Sequence, residues 1–183
     1  MKPTKQRRAP AERPQEILDA ALAQFVETGF AGTRLDDVAK RAGLSKAAIY
    51  LYFDDKVSLF QGVIRQAIAA NLTTVETMLA HHRGPVAGLL PQILEFMAGR
   101  IEDTPMPSIA KLVIAESRAF PEIGRFYLKE VIGRGLPLLE GLIARGIEQG
   151  EFRKVDPAMT VRSIMGAMLL GGLWRTVFEP IGA

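Results

Sequence analysis

The chain has no cysteine, which removes disulfides, thiolate metal sites and thiol nucleophiles, and makes a reducing compartment, the cytoplasm, the simple expectation. Histidine is nearly as scarce. The two that occur, His81 and His82, are neighbours, and adjacent helical positions do not face one another, so no metal site is expected. An all-helical enzyme would need a nucleophile–base pair or a metal constellation, and this inventory supplies neither, so catalysis and a cofactor are not expected. Long apolar runs are missing too. The longest uncharged apolar stretch, Ile164 to Trp174, is well short of the ~20 residues that cross a bilayer. The opening MKPTKQRRAP has no apolar leader segment, and neither a membrane partner nor processing is expected. No stretch alternates apolar and polar residues as a half-buried strand would, and no internal repeat is visible.

What is present is 183 residues with a formal net charge of +3, unevenly placed. Residues 1–13 carry Lys2, Lys5, Arg7, Arg8 and Arg13 against Glu12 alone. Such a basic, proline-containing arm cannot fold by itself. It is either a solubilising tail or an arm that touches phosphate or the minor groove of DNA.

After Pro14, Ile17, Leu18, Ala21, Leu22, Phe25 and Val26 recur at helical spacing until Gly29. Thr33 then reads as an N-cap with Asp36 three residues on, and Leu35, Val38, Ala39 and Ala42 form a short stripe ended by Gly43. Ser45 is a second cap candidate, and Ile49 with Phe53 supply the inner face of a third short helix. From Lys56 a single apolar stripe runs to Met78, a helix of about 35 Å at 1.5 Å per residue. Gly84-Pro85, Pro105, Pro107, Pro121 and Gly150 divide the remainder into helices near 86–102, 106–119, 121–149 and 156–178, with Asp156-Pro157 a strong start for the last and a kink expected at Pro137. The fold class predicted is all-α.

Two short helices joined by a tight glycine turn, with a third helix before them, are the arrangement that lets the second of the pair enter a major groove. Ser45, Lys46, Ala47, Ala48, Tyr50 and Tyr52 lie away from the Ile49 and Phe53 face. Small side chains allow close approach to base edges, and hydroxyl and ammonium groups reach phosphates. The run ILDAALAQFVETGFAGTRLDDVAKRAGLSKAAIYLYFDDKVSLF resembles the N-terminal domain of the TetR family of bacterial repressors, with Gly-aromatic, Thr, Ala-Gly, Ser-Lys, Tyr-x-Tyr-Phe and Lys-x-x-Leu-Phe in their usual places. IAESRAFPEIGRFYLKEVI and the GEFR before Asp156 are similar to the C-terminal domain of its AefR-like subgroup.

The resemblance implies a three-helix DNA-binding domain at 14–60, a helical ligand-binding and dimerisation domain at 61–183, and a homodimer on double-stranded DNA. It implies Thr33 and Lys56 as phosphate-binding helix N-termini, Lys46 and Tyr52 as the main recognition contacts, Tyr50 on phosphate, and Arg34, Ala47 and Ala48 facing the groove. Ala48 stands where glycine is frequent, and Asp54-Asp55 replaces a common Pro-Ser or similar pair. The family usually continues into a ninth helix beyond the point where this sequence reaches Ala183. The expected function is a repressor released from a pseudo-palindromic operator by a small apolar or amphipathic effector.

Asp36-Asp37 and Asp54-Asp55 suit helix starts better than acid–base chemistry, and Gly133-x-Gly135 lacks the preceding strand of a phosphate loop. Phe96, Met97, Ile101, Met106, Leu112, Phe126, Tyr127, Met165, Met168 and Trp174 are candidates to line an effector pocket, each with ordinary core as the competing role, and methionines make such a lining adaptable. Arg100, Glu116 and Arg118 are charges set among apolar residues, either solvated or orienting a polar group of a ligand. For the dimer, the last helix offers Ile164, Met165, Met168, Leu169, Leu173 and Trp174 around Gly166, Gly171 and Gly172, with Leu136, Leu139, Leu142 and Ile143 expected to complete a four-helix contact.

Overall fold

The computed structural model describes residues 13–182, so the basic arm expected at 1–13 lies outside the described residues except for Arg13. Helices follow in the order α1 (Arg13–Gly32), α2 (Leu35–Ala42), α3 (Lys46–Tyr50), α4 (Lys56–His81), α5 (Val86–Asp103), α6 (Met106–Glu116), α7 (Pro121–Tyr127), α8 (Gly133–Glu148), α9 (Pro157–Leu173) and α10 (Glu179–Gly182), with π-helical turns at Leu128–Ile132 and Trp174–Phe178. No strand occurs among the described residues. The chain forms two compact units, one ending at Val63 and one beginning at Ile64.

The first unit closes on three aromatic rings. Phe25 stacks on Phe30 at 5.6 Å, and Phe60 meets both edge-on at 4.9 and 5.4 Å. All three are buried, as are Ile17, Ala21, Val38, Ile49 and Leu59. Gly29, expected to end α1, instead kinks it, in a conformation (φ 74°, ψ 170°) open essentially to glycine alone. Gly43 ends α2 in the left-handed region, with Leu44 N–H bonded to the Ala39 carbonyl and Gly43 N–H to that of Lys40, the double closure that turns the chain sharply into α3. Ser45 caps α3, its Oγ accepting from Ala48 N–H at 3.2 Å. Asp55 and Ser58 cap α4 reciprocally: Asp55 Oδ1 accepts from Ser58 N–H at 2.6 Å and Ser58 Oγ from Asp55 N–H at 3.1 Å.

The second unit is built on Val75, Val86, Leu89, Ile93, Leu139, Leu142, Ile143 and Val161. The stripe on α8 assigned from sequence to a dimer contact is therefore spent inside the subunit, since Leu139, Leu142 and Ile143 are all nearly inaccessible. The kink expected at Pro137 does not divide one long helix. Proline withholds its N–H from the Gly133 carbonyl, and the irregularity appears just ahead, as the wide turn of Leu128–Ile132. Asp156 caps α9 as expected, accepting from Met159 N–H at 3.1 Å. At the other end of the α8–α9 link, Gly150 repeats the left-handed closure of Gly43, and Glu151 accepts from Ala87 N–H at 2.7 Å, placing a carboxylate at the start of α5.

Two glycines of α8 give opposite expectations. A Cβ on Gly146 would lie 2.3 Å from the Phe152 ring, whereas one on Gly141 would meet nothing within 4 Å. Gly146→Ala should cost about 1–3 kcal/mol through overpacking. Gly141→Ala should stabilise by about 0.5–1 kcal/mol through reduced backbone entropy in the unfolded chain. Urea denaturation of both variants checks the pair, and equal effects would contradict the packing described.

Candidate nucleic-acid interface and ligand cavity

In the first unit α3 buries only Ile49. Ser45, Lys46 and Ala47 are exposed and Ala48 is half-buried, while Tyr50 and Tyr52 expose 47% and 38% of their surface. Ser45 caps α3 and Tyr52 lies in the turn that follows it, so the helix and its two ends are exposed together, and Gly43 fixes the direction in which α3 leaves α2. Arg34 is exposed beside it, as the N-cap residue of α2. Lys46 Nζ pairs with Asp36 Oδ2 at 3.1 Å, a partly exposed contact, so its ammonium has a carboxylate partner already in the free chain. Asp36 and Asp37 suit the helix dipole at the start of α2, but they pair with Lys46 and Lys40 rather than capping backbone N–H groups.

Thr33 and Lys56 differ from the sequence reading. Thr33 is buried, and its hydroxyl points back to α1, donating to the Gly29 carbonyl at 2.7 Å, so it does not cap α2. Lys56 Nζ donates to the carbonyls of Phe30, Ala31 and Thr33 at 2.7, 3.1 and 3.1 Å and lies 4.6 Å from the centre of the Phe30 ring. The ammonium, with three donors, meets the carbonyls of three residues that follow the Gly29 kink. Its place is structural, a bolt between the end of α1 and the start of α4. Periodicity could not reveal this, because the partners are backbone atoms some 25 residues away in the sequence.

In the second unit a cavity of about 370 Å³ is lined by Phe96, Met97, Ile101, Met106, Tyr127, Met165 and Met168 from the sequence-chosen set, together with residues of α4, α8 and the first π turn such as Leu72, Ile132 and Leu136. Three chosen residues lie elsewhere. Leu112 is buried on α6, Phe126 carries the Arg65 guanidinium 4.8 Å from its ring centre, and Trp174 is 57% exposed against Phe178. Arg100 lines the cavity, with Asn71 and Arg162, whereas Glu116 and Arg118 do not. Burial pushes the Tyr127 phenol above its ordinary range, and like any tyrosine it is an uncharged donor near neutral pH.

Groups of His, Asp or Glu able to hold a metal ion are absent among the described residues. His81 and His82 bond instead to the carbonyls of Thr77 and Pro85, each at 2.9 Å. No described helix is long and apolar enough to cross a membrane.

Replacing Lys56 by Met keeps the aliphatic stem and removes the charged donor that three carbonyls share. The variant should lose about 2 kcal/mol of stability, the scale of hydrogen bonds to a charged donor. Thermal and urea unfolding check this, and wild-type stability would show the cage to be dispensable.

The tetR family of bacterial regulatory proteins matches residues 17–63, and the C-terminal domain of AefR-like transcriptional repressors matches residues 88–181. The HTH-type transcriptional regulator RutR of Escherichia coli is 28% identical over 168 residues, spanning 84% of this chain and 70% of that protein. Among solved structures, a putative transcriptional regulator from Pseudomonas aeruginosa PAO1 superposes with a TM-score of 0.77 at 21% identity, covering 94% of this chain and 85% of the other. The regulator FadR of Bacillus subtilis, in complex with stearoyl-CoA, gives a TM-score of 0.72 at 20% identity, covering 87% and 86%. At such identities these two likenesses establish the fold. With its helix-turn-helix and its helical C-terminal region both matched, the chain belongs to the TetR family of bacterial transcriptional regulators.

Proposed function

We propose that the protein is a homodimeric repressor that holds a pseudo-palindromic operator through α3 and releases it when a small apolar or amphipathic molecule fills the cavity of the second unit. The observation that carries the reading is the face of α3, which spends one side chain on its own core and offers the remainder, polar or small, to solvent. In this reading Lys46 and Tyr52 contact bases or phosphates, Tyr50 and Arg34 contact phosphate, and Ala47 and Ala48 allow close approach. Thr33 and Lys56 support the surface from behind, their side chains turned to backbone carbonyls.

Dimerisation is supported by the apolar surface that α9 and the π turn after it leave uncovered: Leu170 is 60% and Phe178 50% exposed. Nothing within 4 Å meets a Cβ built on Gly171, so a second backbone could come close there. Two recognition helices related by a dyad would read half-sites about 34–36 Å apart, which makes the operator a pseudo-palindrome. Coupling is supported by α4, a continuous helix with Lys56 in the carbonyl cage at its start and Ile68, Leu72 and Val75 among the cavity walls further along. A ligand that weakens DNA binding tenfold must prefer the non-binding conformer by about 1.4 kcal/mol, and DNA must weaken the ligand equally.

In mobility-shift titrations Tyr52→Ala and Lys46→Ala should each weaken operator binding about tenfold, the scale of one good contact, without lowering thermal stability. Wild-type affinity in both would sink the assignment to α3. Sedimentation at micromolar concentration should give twice the chain mass, and Leu170→Glu should shift it toward one. Effectors found by thermal shift should lower operator affinity. Hits that stabilise the protein and leave that affinity unchanged would refute the coupling.

A further inference from the structure

Among the described residues, charged groups on the cavity wall are few and of one sign. The lining there includes two arginines, Arg100 and Arg162, one asparagine, Asn71, and one phenol, Tyr127, and no Asp or Glu. The rest is aliphatic, aromatic or thioether, apart from two glycines. Arg100 is half-buried on α5 and aimed by a single bond, its Nε donating to Asn71 Oδ1 on α4 at 2.8 Å. Arginine carries five donors in a planar fork, and this bond uses only the Nε–H. Arg100 forms no ion pair among the described residues. A guanidinium taken part-way out of water is costly without a counter-charge, and this one is held in a fixed orientation at the edge of an apolar space.

We infer that the molecule taken by this cavity is an amphipathic organic acid, its carboxylate paired with the Arg100 guanidinium and its hydrocarbon or aromatic body among the apolar wall residues. The inference rests on the effector reading above and narrows it to a chemical class. A planar fork with Nε already tethered presents its two terminal nitrogens in the geometry a carboxylate accepts bidentately. Tyr127, a neutral phenol near pH 7.5, can donate to an acid oxygen, and Arg162, which meets the Met159 sulfur at 3.8 Å, adds positive charge to the wall. A volume of about 370 Å³ is at the small end for ligand sites. It suits a medium-chain or monocyclic acid and not a whole acyl-CoA. In a thioester, moreover, the group at the end of the chain is an uncharged carbonyl, and the anionic phosphates lie far from it.

The test uses the full chain and a series of saturated acids from hexanoate to dodecanoate, each paired with the alcohol of equal length, with decanoyl-CoA and decylamine as further arms. Binding is read by calorimetry near pH 7.5. Acids should bind at least tenfold tighter than their alcohols, with decanoyl-CoA and decylamine weaker than decanoate. Arg100→Met should erase the acid preference while leaving alcohol affinity within about twofold, and Arg100→Lys should restore part of it. The preference should also shrink as pH falls toward the ligand's own carboxyl pKa. Equal binding of acids and alcohols by the wild-type protein, or no acid of the series binding more tightly than its alcohol, would overturn the inference. So would an Arg100→Met loss that falls alike on both, since this marks a brace between α4 and α5. Should Arg100→Met not fold, the wild-type comparison of acid, alcohol and amine decides alone. Operator titration separates the two readings: acids that bind through Arg100 and leave DNA affinity unchanged defeat the regulatory reading only, and release by alcohols but not acids defeats this inference only.

Discussion

The DNA-reading unit hangs on one ammonium group. Lys56 gathers three carbonyls at the kinked end of α1 and just beyond it, and it lies against Phe30, which is stacked in turn on Phe25. Through that one group the end of α1, the entry to α2 and the first turn of α4 are held together, and the short helices between them have their ends fixed. α3 is five residues long, too short to persist on propensity alone. It exists because its cap, its buried Ile49 and the fixed exits of its neighbours leave it no other course.

Glycine does a second part of the positioning, at two matching places. Gly43 and Gly150 each end a helix in the left-handed region with the same pair of backbone bonds. In the first unit the closure aims α3. In the second it carries Glu151 to the start of α5 and brings Phe152 across Gly146, so a local backbone conformation sets a contact between elements distant in sequence. The cavity lies on helices fixed in this way, α5 and α8 among them, and its Arg100 fork keeps its aim because α4 and α5 are tied at Asn71.

Much of this was legible in the sequence, because the signals were local. The buried positions Ile17, Ala21 and Phe25 of α1, the Gly43 stop and the Ser45 and Asp156 caps each depend on residues a few positions apart, and the structure places them as expected, whereas Val26 is half exposed and α3 ends at Tyr50, short of Tyr52 and Phe53. What the sequence did not disclose was long-range or backbone-mediated. Thr33 reads as a cap from spacing, yet its hydroxyl turns to the Gly29 carbonyl because the kink brings that oxygen within reach. Lys56 reads as a phosphate contact, yet its partners are carbonyls, which have no residue type and leave no pattern. Leu112, Phe126 and Trp174 share their apolar character with the cavity residues, and only the three-dimensional packing sorts one set from the other. On α8 the same ambiguity ran the opposite way, and residues suited to a partner helix are spent on the subunit's own core.

The contact between Lys46 and Asp36 reaches beyond the free chain. A basic side chain that docks on DNA ordinarily displaces a condensed cation and sheds its own solvation, and the salt dependence of binding counts such events. Here the lysine arrives with a resident counter-ion built into the neighbouring helix. In the proposed complex, seating it on phosphate would exchange one anionic partner for another, so the gain would be smaller than for a free lysine, and Asp36 would be left facing the polyanion. Adhesion to any duplex would then be weakened more than binding to a site whose base edges repay the exchange, and a carboxylate on α2 would favour selectivity without touching a base.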